Sequence, residues 1–533
     1  MHMGSKPSVR IGVVRVGPNG LGARLQWKAI HAAEGELGMA TRSESSRKRT
    51  TARGRGTAAG KRRKPLEGAN RARRASSASS QKAQRPVRKT NVRTEGPKGI
   101  WDLVRPWIPL VVMVLLALAA LFCVVKLVSC AGNALRGGSE EPKEEQIVEK
   151  DGAPAQEVAA EDGKPAIKLL DEGRVTQSGK GHVTFAAFGD NLANDNILAF
   201  ADAWGGSGEG DGVYDFAPLY QNVRDEIASY DIAFVNQETT LGGTGGDERE
   251  WSGYPSYNTP DSMADALVGA GFRVINTNSN HTYDWWTDAI KYAQKLWNGY
   301  GGVLTIGSYE DQRDRDTIRV VECNGVRLAF LSYSYGQNGY EQSDLPNDYY
   351  AVPFSEAALK KDVEAAREVA DVVVVYLHAG TEYTNEPDED QVAWAQACAN
   401  NNVDLVIGSH VHVIQPMRWL DRADGGKMLA VYGMGDFVSG YEDYPDTILS
   451  GEFSCEFVVG KKGKVSVEDI VWHPLIEHRE GTTDTVYLMR DYTTELAENN
   501  ELLDGLDDPY GWIIETTRGV MGDDFAADVR RAV

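Results

Sequence analysis

The chain has 533 residues and a formal net charge of −21, too long for one compact core and too uneven to fold uniformly. Five cysteines, two of them beside or inside an apolar segment, exclude a disulfide scaffold. Charge is sharply segregated: residues 1–100 carry 24 Lys+Arg against 5 Asp+Glu, whereas residues 131–533 carry 30 against 71.

Residues 1–100 are basic and rich in Ser, Ala and Gly. Stretches such as Arg71–Ser80 cannot bury enough apolar surface to order themselves, so a disordered cytoplasmic tail is expected. Within it Met39 opens a smoother Ser/Arg-rich run and is an alternative start to Met1. Residues 101–130 read as one transmembrane helix. Ile108–Val125 is uncharged, Trp101 and Trp107 suit the interface, and with its flanks the segment reaches the ~20 residues that span a bilayer. The basic side stays inside, which predicts a single-pass bacterial cell-membrane protein with its C-terminal domain extracytoplasmic. Leu127-Val128-Ser129-Cys130 is similar to a lipobox, so lipidation of Cys130 is the alternative tether. Residues 131–180, acidic and rich in Pro and Gly, are expected to form a linker. Residues 181–480 alternate apolar β-branched runs with helical spacing, as at Pro260–Gly269, Ser355–Ala370 and Asp388–Asn400, which predicts an α/β layered fold. Residues 481–533 are an acidic C-terminal extension. The acidity of the C-terminal part argues against a nucleic-acid substrate there.

Five polar clusters in residues 181–480 each follow an apolar run. They are Gly189-Asp190, Asn236-Gln237-Glu238, Asn280-His281, His378 and His410-Val411-His412. A strand ending in a carboxylate, amide or imidazole delivers that group to the carboxyl edge of a sheet, where open α/β folds build their sites. Each residue alone has a bland reading: a hydrogen-bonded His378, a solvated Glu238, a chance alternation of His410 and His412 on an extended segment. Jointly they hold the shared carboxylate, imidazoles and amide of a two-metal hydrolase, in which paired cations activate water and neutralise the transition state. The donor set suits two divalent transition-metal ions, Mn, Fe or Zn. His182, His473 and His478 lie outside the clusters and read as structural.

Seven blocks in order over residues 182–440 resemble the CapA/PgsA poly-γ-glutamate capsule biosynthesis proteins, within the calcineurin-like metallophosphatase superfamily. They are Gly189–Leu192, Asn236–Thr239, Tyr257–Pro260, Gly271-Phe272 leading to Asn278–Asp284, His378–Tyr383, Gly408–Val413 and Tyr432–Phe437. The resemblance implies a metallophosphatase-like sandwich of two β-sheets flanked by helices. It implies that Glu238 bridges two metals, with Asp190 and His412 on one and Asn280, His378 and His410 on the other. His281 would be the proton donor or charge stabiliser, oriented by Asp284, and Glu382 and Tyr383 would line the substrate pocket. Asn194 stands where many members carry a first-motif His, and Ala379, Ser409, Val411 and Asp436 also depart from the usual pattern.

The expected function is a membrane-anchored metal-dependent hydrolase or phosphoesterase-type enzyme. Its substrate would be an anionic envelope polymer, poly-γ-glutamate by the family's name, or a phosphoester, with polymer synthase subunits as partners. The alternative is a non-catalytic assembly protein that holds polymer or synthase in the same cleft.

Overall fold

The computed structural model describes residues 153–522, apart from 160–163, 172–175, 209, 247–248, 443 and 461–462. The basic tail and the expected membrane helix at 101–130 lie outside the described residues. Among the described residues no helix is long and apolar enough to cross a membrane.

The described strands form two sheets. In chain order they begin β1 (Gln156–Val158), β2 (Ile167–Asp171), β3 (His182–Asn191), β4 (Ile232–Gln237), β5 (Val274–Asn276) and β6 (Leu304–Ile306). There follow β7 (Ile318–Cys323), β8 (Val326–Ser334), β9 (Val372–His378), β10 (Leu405–Ser409) and β11 (Ile414–Asp421). The last are β12 (Lys427–Met434), β13 (Asp436–Val438), β14 (Leu449–Val459), β15 (Val465–Glu480) and β16 (Thr483–Leu488). One sheet runs β1-β2-β7-β8-β9-β10-β12-β11; the other runs β16-β15-β14-β3-β4-β5-β6, with β13 also paired to β3. β8, β9, β10 and β12 are mutually parallel, and so are β3, β4, β5 and β6. Each sheet therefore gathers several strand C-termini along one edge.

Period-2 alternation sorts the side chains. On β3, Phe185 and Ala187 enter the core between the sheets, while Ala186 and Phe188 face the helices outside. Phe185 meets Phe330 of β8 at 6.2 Å between ring centres, and Phe234 of β4 meets Tyr376 of β9 at 5.6 Å, so aromatic pairs bridge the sheets. Each such buried ring contributes about 1.5–3 kcal/mol relative to exposure. Helices Asp195–Trp204, Ser262–Ala270 and Trp286–Asn298 cover the outer face of the β3 sheet. Helices Glu356–Arg367 and Glu389–Asn400 cover that of the β9 sheet. Their ends follow from sequence. Gly271 closes the first of the three expected helices at φ 116°, Ser355 accepts from the Ala358 N–H, and Asp388 with Gln391 forms a capping box. The mixed α/β architecture of two sheets with outer helices is the one expected.

The sheets extend past the expected boundaries. β1 and β2 fall in the stretch read as a linker, and β2 pairs in parallel with β7, Leu169 opposite Val320. Only Ile167 and Leu170 of that five-residue strand are buried, too short a signal to stand out among Glu, Pro and Gly. In the stretch read as an acidic extension, β16 pairs with β15. Leu502, Leu503, Ile513 and Met521 join the inter-sheet core beside Trp472. Cys323, Cys398 and Cys455 are buried.

Candidate metal centre

Strand register brings the polar clusters together. Asp190 lies opposite Asn236 on β4 and opposite Asp436 on β13; His378 lies opposite Ser334 on β8 and Ser409 on β10. Asp190, Glu238, Asn280, His378, His410 and His412 are all buried and converge at this edge. Three overlapping groups each place one ligand atom per residue within 4.8 Å of the others: Glu238 with His410 and His412, Asp190 with His412 and Asp436, and Asp190 with Glu238 and His378.

The contacts are specific. His378 Nε2 lies 2.9 Å from Asn280 Oδ1 and 3.8 Å from Glu238 Oε1, and its Nδ1 meets the Tyr376 hydroxyl at 2.9 Å. His412 Nδ1 is 2.8 Å from Asp436 Oδ1 and 4.0 Å from Asp190 Oδ2. The His410 N–H donates to Asp190 Oδ2 at 3.0 Å. His410 and His412 do not alternate along an extended strand: both adopt positive φ, 98° and 59°, in the turn between β10 and β11. That backbone costs on the order of 1–3 kcal/mol per residue and is held by its surroundings, a pattern concentrated at functional sites.

Beneath the ligands runs a relay of buried amides. Ser332 Oγ donates to Asn276 Oδ1 at 2.6 Å, Asn276 Nδ2 to Asn236 Oδ1 at 2.6 Å, and Asn236 Nδ2 to Asp190 Oδ1 at 2.6 Å and Glu238 Oε2 at 3.4 Å. Ser332 belongs to β8 and the asparagines to β5 and β4, so the relay ties one sheet to the other directly under the carboxylates.

Burial and crowding perturb the titratable groups of this centre. Burial, reinforced by neighbouring Asp190, holds the Glu238 carboxyl well above its ordinary range. Burial pushes Asp436 up to about 7. Burial and adjacent histidines push His378 and His410 well below the usual imidazole range. Burial opposes charge on His412 too, yet Asp436 and Glu238 hold it well above that range. Glu238 Oε1, His410 Nδ1 and Asp436 Oδ2 have no hydrogen-bond partner among the described residues. Buried polar atoms ordinarily have one, and bound divalent ions would satisfy them. The residues therefore fit a metal on composition, spacing and unmet coordination.

Beside this centre, His281 Nδ1 lies 2.8 Å from Asp284 Oδ2, and Asn338 Nδ2 lies 3.3 Å from His281 Nε2. Asn338 also donates its backbone N–H to the Asn280 carbonyl at 2.9 Å. Tyr383 sits at φ 60°, stacks on His412 at 5.9 Å and on Tyr444 at 4.5 Å, whereas Glu382 is exposed at the rim. Tyr335 covers His410 at 4.7 Å. Asn194 does not join the ligands: its amide accepts from the Tyr257 hydroxyl and donates to the Ser439 carbonyl, each at 2.8 Å. A separate group, Glu226, Glu452 and His473, lies elsewhere, where Arg490 engages Glu226 and the Tyr230 hydroxyl engages Glu452. Sequence reasoning assigned no role to Asp436, Asn236, Asn276 or Asn338. Asp436 was within reach, since it follows the apolar run of β12 as the other polar clusters follow theirs.

Fold and site define a two-sheet α/β protein with a buried His–carboxylate centre of metal-ligand composition at its strand ends. Residues 184–441 match the model of the family described as bacterial capsule synthesis protein PGA_cap, which supports the resemblance to the CapA/PgsA capsule biosynthesis proteins. It is 28% identical over 179 residues to the capsule biosynthesis protein CapA of Bacillus anthracis, covering 32% of this chain and 41% of that protein. It is 25% identical over 174 residues to the PGA biosynthesis protein CapA of Bacillus subtilis (strain 168), covering 32% and 44%. The chain thus spans less than half the length of these relatives. Among solved structures, it overlaps a Haemophilus influenzae NAD nucleotidase at 11% identity and a TM-score of 0.34, covering 66% of this chain and 65% of that one. A putative 5′-nucleotidase from Staphylococcus aureus overlaps with the same identity and TM-score, over 55% and 54%. Overlaps this slight assign no reaction.

Proposed function

We propose that this protein is a metal-dependent hydrolase or transferase of capsule biosynthesis, acting on a phosphoester or amide-type bond of an anionic envelope polymer such as poly-γ-glutamate. One observation carries the reading: in the strand-end cluster, Glu238 Oε1, His410 Nδ1 and Asp436 Oδ2 are buried with no hydrogen-bond partner among the described residues. Asp190, Glu238 and His412 would hold one ion, and Glu238, Asn280, His378 and His410 the other. When bound, such a pair supplies Lewis acidity and neutralises developing negative charge.

The chain's own groups do the rest. With Nδ1 against Asp284, His281 would use Nε2, which lies beside the Asn338 amide, to pass a proton to the leaving group. Asn338, which also grips the Asn280 backbone, fixes that ring relative to the ligands. Tyr383 walls the cleft against His412, and Glu382 stands at its rim. The apolar segment 108–125 is the proposed anchor, with the domain outside the membrane; the excess of Lys and Arg on its N-terminal side supports this orientation.

His281→Ala tests the assignment. Mn-loaded wild type should cleave bis-p-nitrophenyl phosphate or poly-γ-glutamate, and the variant should keep its metal while losing turnover by about 10²–10⁴-fold. Equal turnover in both proteins would remove His281 from catalysis. Capsule production that survives the variant, in a protein with no turnover on either substrate, would instead favour a polymer-holding role.

A further inference from the structure

We infer that Asp436 is itself a metal ligand, so that the first ion is held by Asp190, His412 and Asp436 with Glu238 shared. This rests on the metal-dependent reading above and assigns one of its ligands.

The placement is built into the backbone. β12 ends at Met434, Gly435 turns the chain at φ 72°, and β13 then runs parallel to β3 with Asp436 opposite Asp190. The Asp190 N–H donates to the Gly435 carbonyl at 3.1 Å, which locks the two carboxylates to one another. Both oxygens of Asp190 are engaged, Oδ1 by Asn236 and Oδ2 by the His410 N–H. Asp436 is different. Its Oδ1 meets His412 Nδ1 at 2.8 Å, while Oδ2 is buried, at 0% residue exposure, with no partner among the described residues.

A carboxylate that served only to orient His412 would need one oxygen and leave the other unmet. A cation among Asp190, His412 and Asp436, whose ligand atoms lie within 4.8 Å of one another, meets it. The neighbouring turn offers no substitute, because both amide atoms of Asn194 are committed to Tyr257 and Ser439. The two positions then differ in chemistry. Three carboxylates and one imidazole surround the first; one carboxylate, two imidazoles and an amide surround the second. The first is the harder donor set and suits Mn²⁺ or Fe²⁺ over Zn²⁺.

The test is MnCl₂ titration of the full chain in detergent, wild type against Asp436→Asn, with bound metal counted by elemental analysis. The variant keeps the shape and an oxygen acceptor for His412 but loses the charge. We expect wild type to take up two ions. Asp436→Asn should hold one as tightly as wild type and the other at least about tenfold more weakly. Asp190→Asn should weaken the same ion. Two ions held by Asp436→Asn at wild-type affinity would overturn the inference while leaving the metal-dependent reading intact; a wild type that binds none would overturn both. Should the variant fold poorly, anomalous scattering from crystals of the Mn-loaded wild type decides. An ion within about 2.0–2.2 Å of Asp436 Oδ2 supports ligation, and an ion out of bonding reach refutes it.

Discussion

Gly189 precedes Asp190 on β3, and a methyl group there would lie 1.9 Å from the Gly435 carbonyl oxygen and 2.9 Å from its carbon. Both are backbone atoms, so no flexible side chain can yield. Reaching an ordinary contact of 3.4 Å requires β3 and the Gly435 turn to part by about 1.5 Å. That turn carries Asp436, and Asp190 follows Gly189 directly, so the parting is transmitted to the two carboxylates. Metal–ligand distances tolerate only about 0.2 Å. Gly189→Ala should therefore weaken the ion at Asp190 severely, by about 10²-fold or more, and destabilise the fold by about 1–3 kcal/mol through overpacking. The ion at Asn280, His378 and His410 should be weakened less, because Asn280 and His378 lie off the contact and only His410 is tied to Asp190, through its N–H. Metal titration with elemental analysis reads the first effect, and denaturant melts in chelator read the second. A Gly189→Ala protein that binds both ions with wild-type affinity would show that the close approach of β3 and β13 does not set the geometry of the centre.

Asn236→Ala removes the amide that donates to Asp190 and Glu238 and accepts from Asn276, leaving buried groups unmet. It should cost about 1–3 kcal/mol in denaturant melts and weaken metal binding about 10–100-fold; unchanged values would make the relay incidental. Glu452, buried and partnered by Tyr230, has its carboxyl raised by burial from 4.5 to about 7. A raised acid stabilises the fold fully below its unfolded value and loses that contribution as pH rises through the folded one. Stability should therefore fall between pH 4.5 and 7 by up to about 3 kcal/mol from this group, and Glu452→Gln should flatten that part of the profile. Parallel profiles for the two proteins would contradict the assignment.

The parts of this protein legible in its sequence are those where one strong local rule suffices. Val372–Leu377 and Leu405–Ile407 could only be buried strands, and the imidazoles that follow them had to emerge at a sheet edge. The helix ends at Gly271, Ser355 and Asp388 were equally local. What escaped depends on partners distant in sequence. β2 is a strand because β7 lies beside it, and its own composition gives little sign. The positive φ of His410 and His412 reflects a turn imposed between β10 and β11, invisible in an alternating His-Val-His. Asn236 and Asn276 gained their meaning only when register stacked them beneath Asp190. Asp436 lies in the block Tyr432–Phe437, but its proximity to Asp190 comes from β13 returning to β3 after more than two hundred residues.

The central claim, that the strand-end cluster exists to hold cations, is tested most directly by the metal content of the purified protein prepared without chelator, compared with Glu238→Ala. The account predicts about two transition-metal ions per chain in wild type and loss of both ions in the variant, since Glu238 would be the shared carboxylate. A wild-type protein that is folded yet carries no metal, even after incubation with Mn or Zn, would contradict it.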